Sequence, residues 1–389
     1  MKVITVTGEV NPEDIGVTLV HEHIRYIESG STMGDRVYSA KPEDDEEAEI
    51  ANLKVTLENL NTVYRNEFLV KDNSTFLVFE DMVEEVLMYK KHGGTTLVDS
   101  TPDFADSNRN PERLVRLSNE TGIKFVAGAG YYVGMSHPEH MKKWSQEKLK
   151  DEIVKDLTVG IGDTGIRAGI IGEIGIFDSK PTAEEIKTFG AAALAQAETD
   201  AGVMTHCRGV GRLDAHKAQI EIFEKSGSNP EKIAIGHRDS VLGHMRRDQY
   251  LAHFSEILDK GYYISFDCFG MEKDFKHGIK SYGKDADWDI TAKYDPNSKI
   301  RFDWAPVFNV CKDIERVEAV MDIINMGYTN KILLGHDLFF KTHYKKYGGW
   351  GYSHILETVV PLLLAAGATQ NQVDTILKKN PARLLERKV

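Results

Sequence analysis

Eight short apolar, β-branched runs, separated by segments of helical period, constrain this chain more than any other feature. The runs fall at 17–23, 95–100, 124–129, 168–175, 202–207, 232–237, 262–267 and 331–336, each bounded by Gly, Asp or Ser. Helical periodicity covers 79–92, 110–120, 140–157, 182–199, 213–226, 242–259, 310–327 and 352–367. Runs this short read as buried strands, and the longer 3.6-period segments as helices covering them. Pro181-Thr182-Ala183-Glu184-Glu185 marks one helix start, with a Thr N-cap and carboxylates in the first turn, where the helix dipole favours them. Eight strands alternating with eight helices predict an α/β fold, the (β/α)8 TIM barrel, with its site at the C-terminal ends of the strands.

The chain has 389 residues, more than the ~250 of a minimal barrel. The surplus lies at about 30–78, with the acidic run Glu43-Asp44-Asp45-Glu46-Glu47, and at about 270–309. Both insertions follow a strand's C-terminal end, so both are expected over the mouth of one barrel domain spanning 1–389, as lids or oligomer contacts. A homodimer is compatible with this.

A net charge of −12 argues against nucleic acid or an anionic membrane as partner. Three scattered cysteines, Cys207, Cys268 and Cys311, make neither a disulfide framework nor a CxxC zinc site and suit a reducing cytoplasm. The first residues lack the apolar run of a signal peptide, and no stretch is long and apolar enough to span a bilayer.

Metal-ligand residue types recur at the strand ends. His21 and His23 share one face of the first strand, roughly 7 Å apart. Glu173 stands among apolar residues in Ile170-Ile171-Gly172-Glu173-Ile174-Gly175, where an unpaired charge is costly and calls for a cation. His206, His237 and Asp337 end the fifth, sixth and eighth strands. A single strand-end histidine is commonly a hydrogen-bonded core residue, and a buried glutamate can simply pair with an arginine. Four imidazoles and two carboxylates at one barrel end point to metal, and they exceed the needs of one tetrahedral zinc. They suit two divalent ions sharing a bridging carboxylate and a bridging hydroxide. Zinc is the expected metal, and manganese, cobalt or iron accept the same ligands.

Val-His-Glu-His, Gly-Glu-Ile-Gly, Thr-His-Cys-Arg-Gly, Ile-Gly-His-Arg-Asp, Leu-Leu-Gly-His-Asp and Asn380-Pro381-Ala382-Arg383, in this order, resemble the phosphotriesterase family of the amidohydrolase superfamily. The resemblance covers nearly the whole chain outside the insertions. It implies that His21, His23 and Asp337 hold a buried metal, that His206 and His237 hold a more exposed one, and that Glu173 bridges them. The best-known members bridge with a carbamylated lysine. Glutamate occurs in other branches, including the phosphotriesterase-related proteins, and needs no carbon dioxide. Phosphotriesterases proper place a relay histidine where this chain has Cys268.

The expected enzyme is a dinuclear-metal hydrolase whose hydroxide attacks a carbonyl, with Asp337 taking the proton and passing it to the leaving oxygen. Arg208, Arg238, Lys341 and His343, with Tyr132, form the expected substrate-binding mouth, and cations there suit an anionic small molecule. Among activities the resemblance implies, hydrolysis of an anionic lactone, such as a phosphorylated sugar lactone, is the first expectation, with Tyr131 near the ring oxygen. N-acyl amino acid or amide deacylation is the alternative. Organophosphate hydrolysis is disfavoured by Glu173 and Cys268.

Overall fold

The computed structural model describes residues 1–27, 41–102, 110–176, 181–207, 215–242, 245–271 and 311–388. Its strands are β1 (Thr18–Glu22), β2 (Thr96–Asp99), β3 (Lys124–Ala129), β4 (Ile170–Ile176), β5 (Gly202–Cys207), β6 (Ile233–Ile235), β7 (Tyr263–Phe266) and β8 (Ile332–Leu334). They form one eight-stranded sheet in sequential order, and every pairing is parallel. The two outer strands meet where the Asp337 amide donates to the His21 carbonyl at 3.1 Å. Gly335 allows this closure, because a Cβ there would lie 2.9 Å from the same carbonyl oxygen. The result is the (β/α)8 barrel that the alternation predicts.

The surrounding helices are α1 (Phe79–Lys91), α2 (Pro111–Thr121), α3 (Gln146–Thr158), α4 (Ala183–Thr199), α5 (Ala215–Lys225), α6 (Arg247–Leu258), α7 (Asp313–Asn325) and α8 (Val360–Ala365). Thr182 caps α4 reciprocally with Glu185. The helix expected from 140 begins only at Gln146, because Ser145 is extended and its side chain caps the Lys148 amide. A stretch of π-helix, Ile355–Val359, leads into α8. An antiparallel hairpin, Val3–Thr5 with Gly8–Val10, precedes β1. No helix among the described residues is long and apolar enough to cross a membrane.

Two apolar clusters separate the inside of the barrel from its outside. Val20, Val98, Val126, Ile170, Met204, Ala234, Tyr263 and Leu333, one from each strand, pack together with Val3, Ile15, Leu384 and Leu385. Their strand neighbours, including Leu19, Leu97, Phe125, Ile171, Val203, Ile264 and Leu334, join the helices in the larger cluster. Strict alternation from Val20 and Ile170 would therefore turn His21 and Glu173 outward, toward the helices. Two register shifts prevent this. β1 gains a residue against β2 between Leu19 and Glu22, and β4 gains one against β5 between Ile171 and Ile174. Each bulge reverses the faces beyond it, so His21, His23 and Glu173 point into the barrel.

The described part of the first insertion packs on the segment after β8. The Asn73 side chain accepts from the Thr342 amide at 3.0 Å, and Phe68 meets Phe340 edge-on at 4.8 Å between ring centres. Of the second insertion, residues 272–309 lie outside the described residues.

Candidate metal centre

The two bulges and two left-handed residues bring the ligand candidates together. His206 needs no irregularity, since it lies two beyond the inward-facing Met204. His237 and Asp337, just past β6 and β8, take φ values of 53° and 54°. Such backbone costs a non-glycine residue on the order of 1 kcal/mol, and strain of this kind collects at functional sites.

One oxygen of Glu173 lies 3.5 Å from His21 Nε2, 2.7 Å from His206 Nδ1 and 3.3 Å from His237 Nε2. Its other oxygen lies 3.1 Å from His23 Nε2, which is also 2.9 Å from Asp337 Oδ1. The buried side chains thus form two overlapping groups. His21, His23, Glu173 and Asp337 make one, and Glu173, His206 and His237 make the other. Glu173 is common to both.

The donors fit divalent cations. His21 Nε2 is fully buried without a hydrogen-bond partner, while His21 Nδ1 lies 2.7 Å from Asp267 Oδ2. Nδ1 donating to that carboxylate leaves the Nε2 lone pair aimed into the cluster, as a metal ligand requires. Burial opposes a charge on His21 and His237, yet the Asp267 and Glu173 carboxylates outweigh it and hold both imidazoles well above their ordinary value. Burial also pushes the Glu173 carboxyl up, but His206 and His21 pull it well below the usual carboxylate range. These three shifts report a field that favours positive charge, whereas at His206 burial outweighs the Glu173 carboxylate and holds the imidazole below its ordinary value.

A second layer orients the ligands. Asp267 reaches His21 with one oxygen and His237 with the other, the latter at 2.8 Å, and also accepts from the His237 amide at 3.0 Å. His23 Nδ1 lies 2.9 Å from Thr101 Oγ1, which donates to Asp99 Oδ1 at 2.5 Å. Sequence reasoning gave Asp267, Thr101 and Asp99 no role, although carboxylates at strand ends beside a histidine cluster were a signal. Cys268 Sγ lies 3.8 Å from His237 Nδ1, and burial pushes this thiol well above its ordinary value, so no charged relay group stands there.

The expected cationic mouth is largely turned elsewhere. Arg238 is only 2% exposed. Its Nε donates to the Gly236 carbonyl at 2.9 Å, Nη2 to the Cys207 sulfur, and Nη1 lies 3.4 Å from His253 Nε2. The left-handed turn at His237 directs Arg238 back beneath the strand ends, and Asp239 pairs with Arg316 instead, at 3.0 Å. Lys341 pairs with Asp72 at 3.2 Å. His343 is buried and accepts from the Phe339 and Phe340 amides at 3.3 and 3.4 Å. Arg208 lies outside the described residues. Tyr131 is buried in the larger apolar cluster. The Tyr132 hydroxyl, in contrast, lies 3.2 and 3.3 Å from the two ring nitrogens of His206, with the rings edge-on at 4.8 Å.

A parallel barrel with a buried histidine–carboxylate cluster at its strand ends defines a hydrolase of the metal-dependent barrel class. The chain belongs to the phosphotriesterase family, whose model matches residues 1–385. It is 33% identical over 388 residues to the N-acetyltaurine hydrolase of Danio rerio, covering 99% of this chain and 97% of that protein. Its fold is similar to the crystal structure of a resiniferatoxin-binding protein from Rhodobacter sphaeroides, with TM-score 0.82, 27% identity and coverage of 100% of this chain and 96% of that one. It is also similar to a lactonase from Listeria monocytogenes, with TM-score 0.69, 23% identity and coverage of 100% of both chains.

Proposed function

We propose that this protein hydrolyses the amide bond of a small N-acylated substrate whose amine half carries an acid group. The observation that carries this reading is the end-to-end likeness to an N-acetyltaurine hydrolase in a chain with the complete ligand set. N-acetyltaurine is an acetamide with a sulfonate tail, which narrows the anionic small molecule expected from sequence to an N-acyl amino sulfonate or carboxylate.

His21, His23 and Asp337 would hold one ion, His206 and His237 the other, and Glu173 both. Two divalent ions so held supply a water nucleophile active at neutral pH and polarise the scissile carbonyl. Asp337 is placed to accept the proton released in attack and to return it to the leaving nitrogen. Tyr132 reaches over His206 and positions the acyl group.

A second reading, hydrolysis of an anionic or phosphorylated sugar lactone, is supported by the Tyr132 phenol, which in that site can donate to a ring oxygen. The sequence expectation places this reading first and gives the role to Tyr131, where the reading here assigns it to Tyr132. The test is product release from N-acetyltaurine, N-acetyl amino acids, plain and phosphorylated lactones and an organophosphate by zinc- or manganese-loaded protein. Free amine from the acidic acetamides, with little lactone turnover, is expected. Turnover of lactones alone would reverse the order of the two readings.

A further inference from the structure

We infer that Thr101 and Asp99 form a positioning relay for the metal held by His21, His23 and Asp337, and that the relay sets how tightly that one ion is kept. This rests on the two-metal reading above.

Three of the four cluster histidines, His21, His23 and His237, are not held alike. His21 and His237 each have Nδ1 directly on the Asp267 carboxylate, at 2.7 and 2.8 Å. His23 has a hydroxyl in that place, Thr101 Oγ1 at 2.9 Å. The hydroxyl has one proton to give, and Asp99 Oδ1 takes it at 2.5 Å. Thr101 Oγ1 therefore must accept from His23, which fixes the proton on Nδ1 and leaves the Nε2 lone pair for metal. Threonine is the coupling element, because a residue that could only donate or only accept would break the chain at one end.

Asp99 is itself fixed. Its Oδ1 accepts from the amides of Ile24 and Thr101 at 3.3 and 3.2 Å as well as from the Thr101 hydroxyl. Burial pushes the Asp99 carboxyl up, and these three donors on one oxygen oppose that shift. Arg25 and Arg113 line the same recess as Asp99 and Thr101. Asp99 is hydrogen-bonded to His23 only through one hydroxyl, whereas Asp267 meets the other two rings directly. Orienting partners of this sort are worth about 10–100-fold in metal affinity.

The test is chelator competition with metal analysis on the full chain, for wild type, Thr101→Val, Thr101→Ser and Asp99→Asn, with circular dichroism to follow folding. Valine keeps the shape and removes both hydrogen bonds. The expected result is two ions per wild-type chain, one of which is lost from Thr101→Val at about 10-fold lower chelator concentration. Thr101→Ser should restore wild-type retention, and Asp99→Asn should fall between. A Thr101→Val protein that keeps both ions as wild type does, or releases both together, would overturn the relay. A wild-type chain that takes up no metal would overturn the two-metal reading itself.

Discussion

One oxygen of Glu22 accepts from both the amide and Nδ1 of His336, at 2.9 and 2.8 Å. Both side chains are fully buried. Each neighbours ligands in sequence, yet neither belongs to the cluster. The bulge in β1 that turns His21 and His23 inward turns Glu22 outward, where it ties β1 to the residue before Asp337. The pair therefore sets the position of the Asp337 carboxylate relative to the two histidines.

Removing half of this pair leaves a buried polar group unsatisfied. Glu22→Ala should lose about 3 kcal/mol or more in urea denaturation and depress turnover through Asp337. Glu22→Gln, whose amide oxygen can still accept, should lose much less. Equal stability of the alanine variant and wild type would sink this account of how the barrel closes.

Much of this architecture was legible in the sequence, because buried parallel strands are short apolar runs and their ends are where ligand types accumulate. His206 followed from its place at the end of the fifth strand, and Glu173 from the cost of a lone carboxylate among isoleucines. The bulges before His21 and Glu173 were not legible, since an extra residue between strands leaves no mark when every residue around it is buried. Nor was the left-handed backbone at His237, which decides that Arg238 turns away from the cluster, toward Cys207 and His253. The Lys341–Asp72 pair joins residues 269 apart in the chain, beyond the reach of any local pattern.

Asp337→Asn should reduce turnover by about 10²–10⁴-fold, the usual worth of a positioned proton acceptor. Asparagine keeps one oxygen to ligate but cannot carry the proton. Metal content should fall far less than turnover. Parallel loss of both would make Asp337 a structural ligand alone.

Glu173 is a carboxylate as synthesised, so metal uptake should proceed equally in carbon dioxide-free buffer and in bicarbonate. The rate and extent of reconstitution after chelator treatment measure this directly. Dependence on bicarbonate would mean that some other group bridges the ions.

Arg238→Ala separates the structural placement of this residue from the mouth role expected from sequence. Loss of its buried stem and three polar contacts should cost about 3 kcal/mol of stability. KM for an anionic substrate should change by less than about twofold, since a group turned from the site contributes little to binding. A large rise in KM with unchanged stability would return Arg238 to the mouth.

Glu85 gives the fold a pH dependence separate from the metal centre. It lies on α1, and burial raises its carboxyl from 4.5 to about 7 despite the Lys345 amide donating to it at 3.1 Å. Between these two values the unfolded chain releases a proton that the folded chain keeps. The folded state binds more protons there, so the Glu85 contribution to stability is complete below about pH 4.5, declines as pH rises to about 7, and then levels off. Glu85→Gln cannot ionise and should lack this decline. Whatever its absolute stability, the variant should gain on wild type as pH goes from 5 to 8, with most of the change below 7, in denaturation curves at each pH. A difference that stays constant across that range would mean that Glu85 titrates alike in both states.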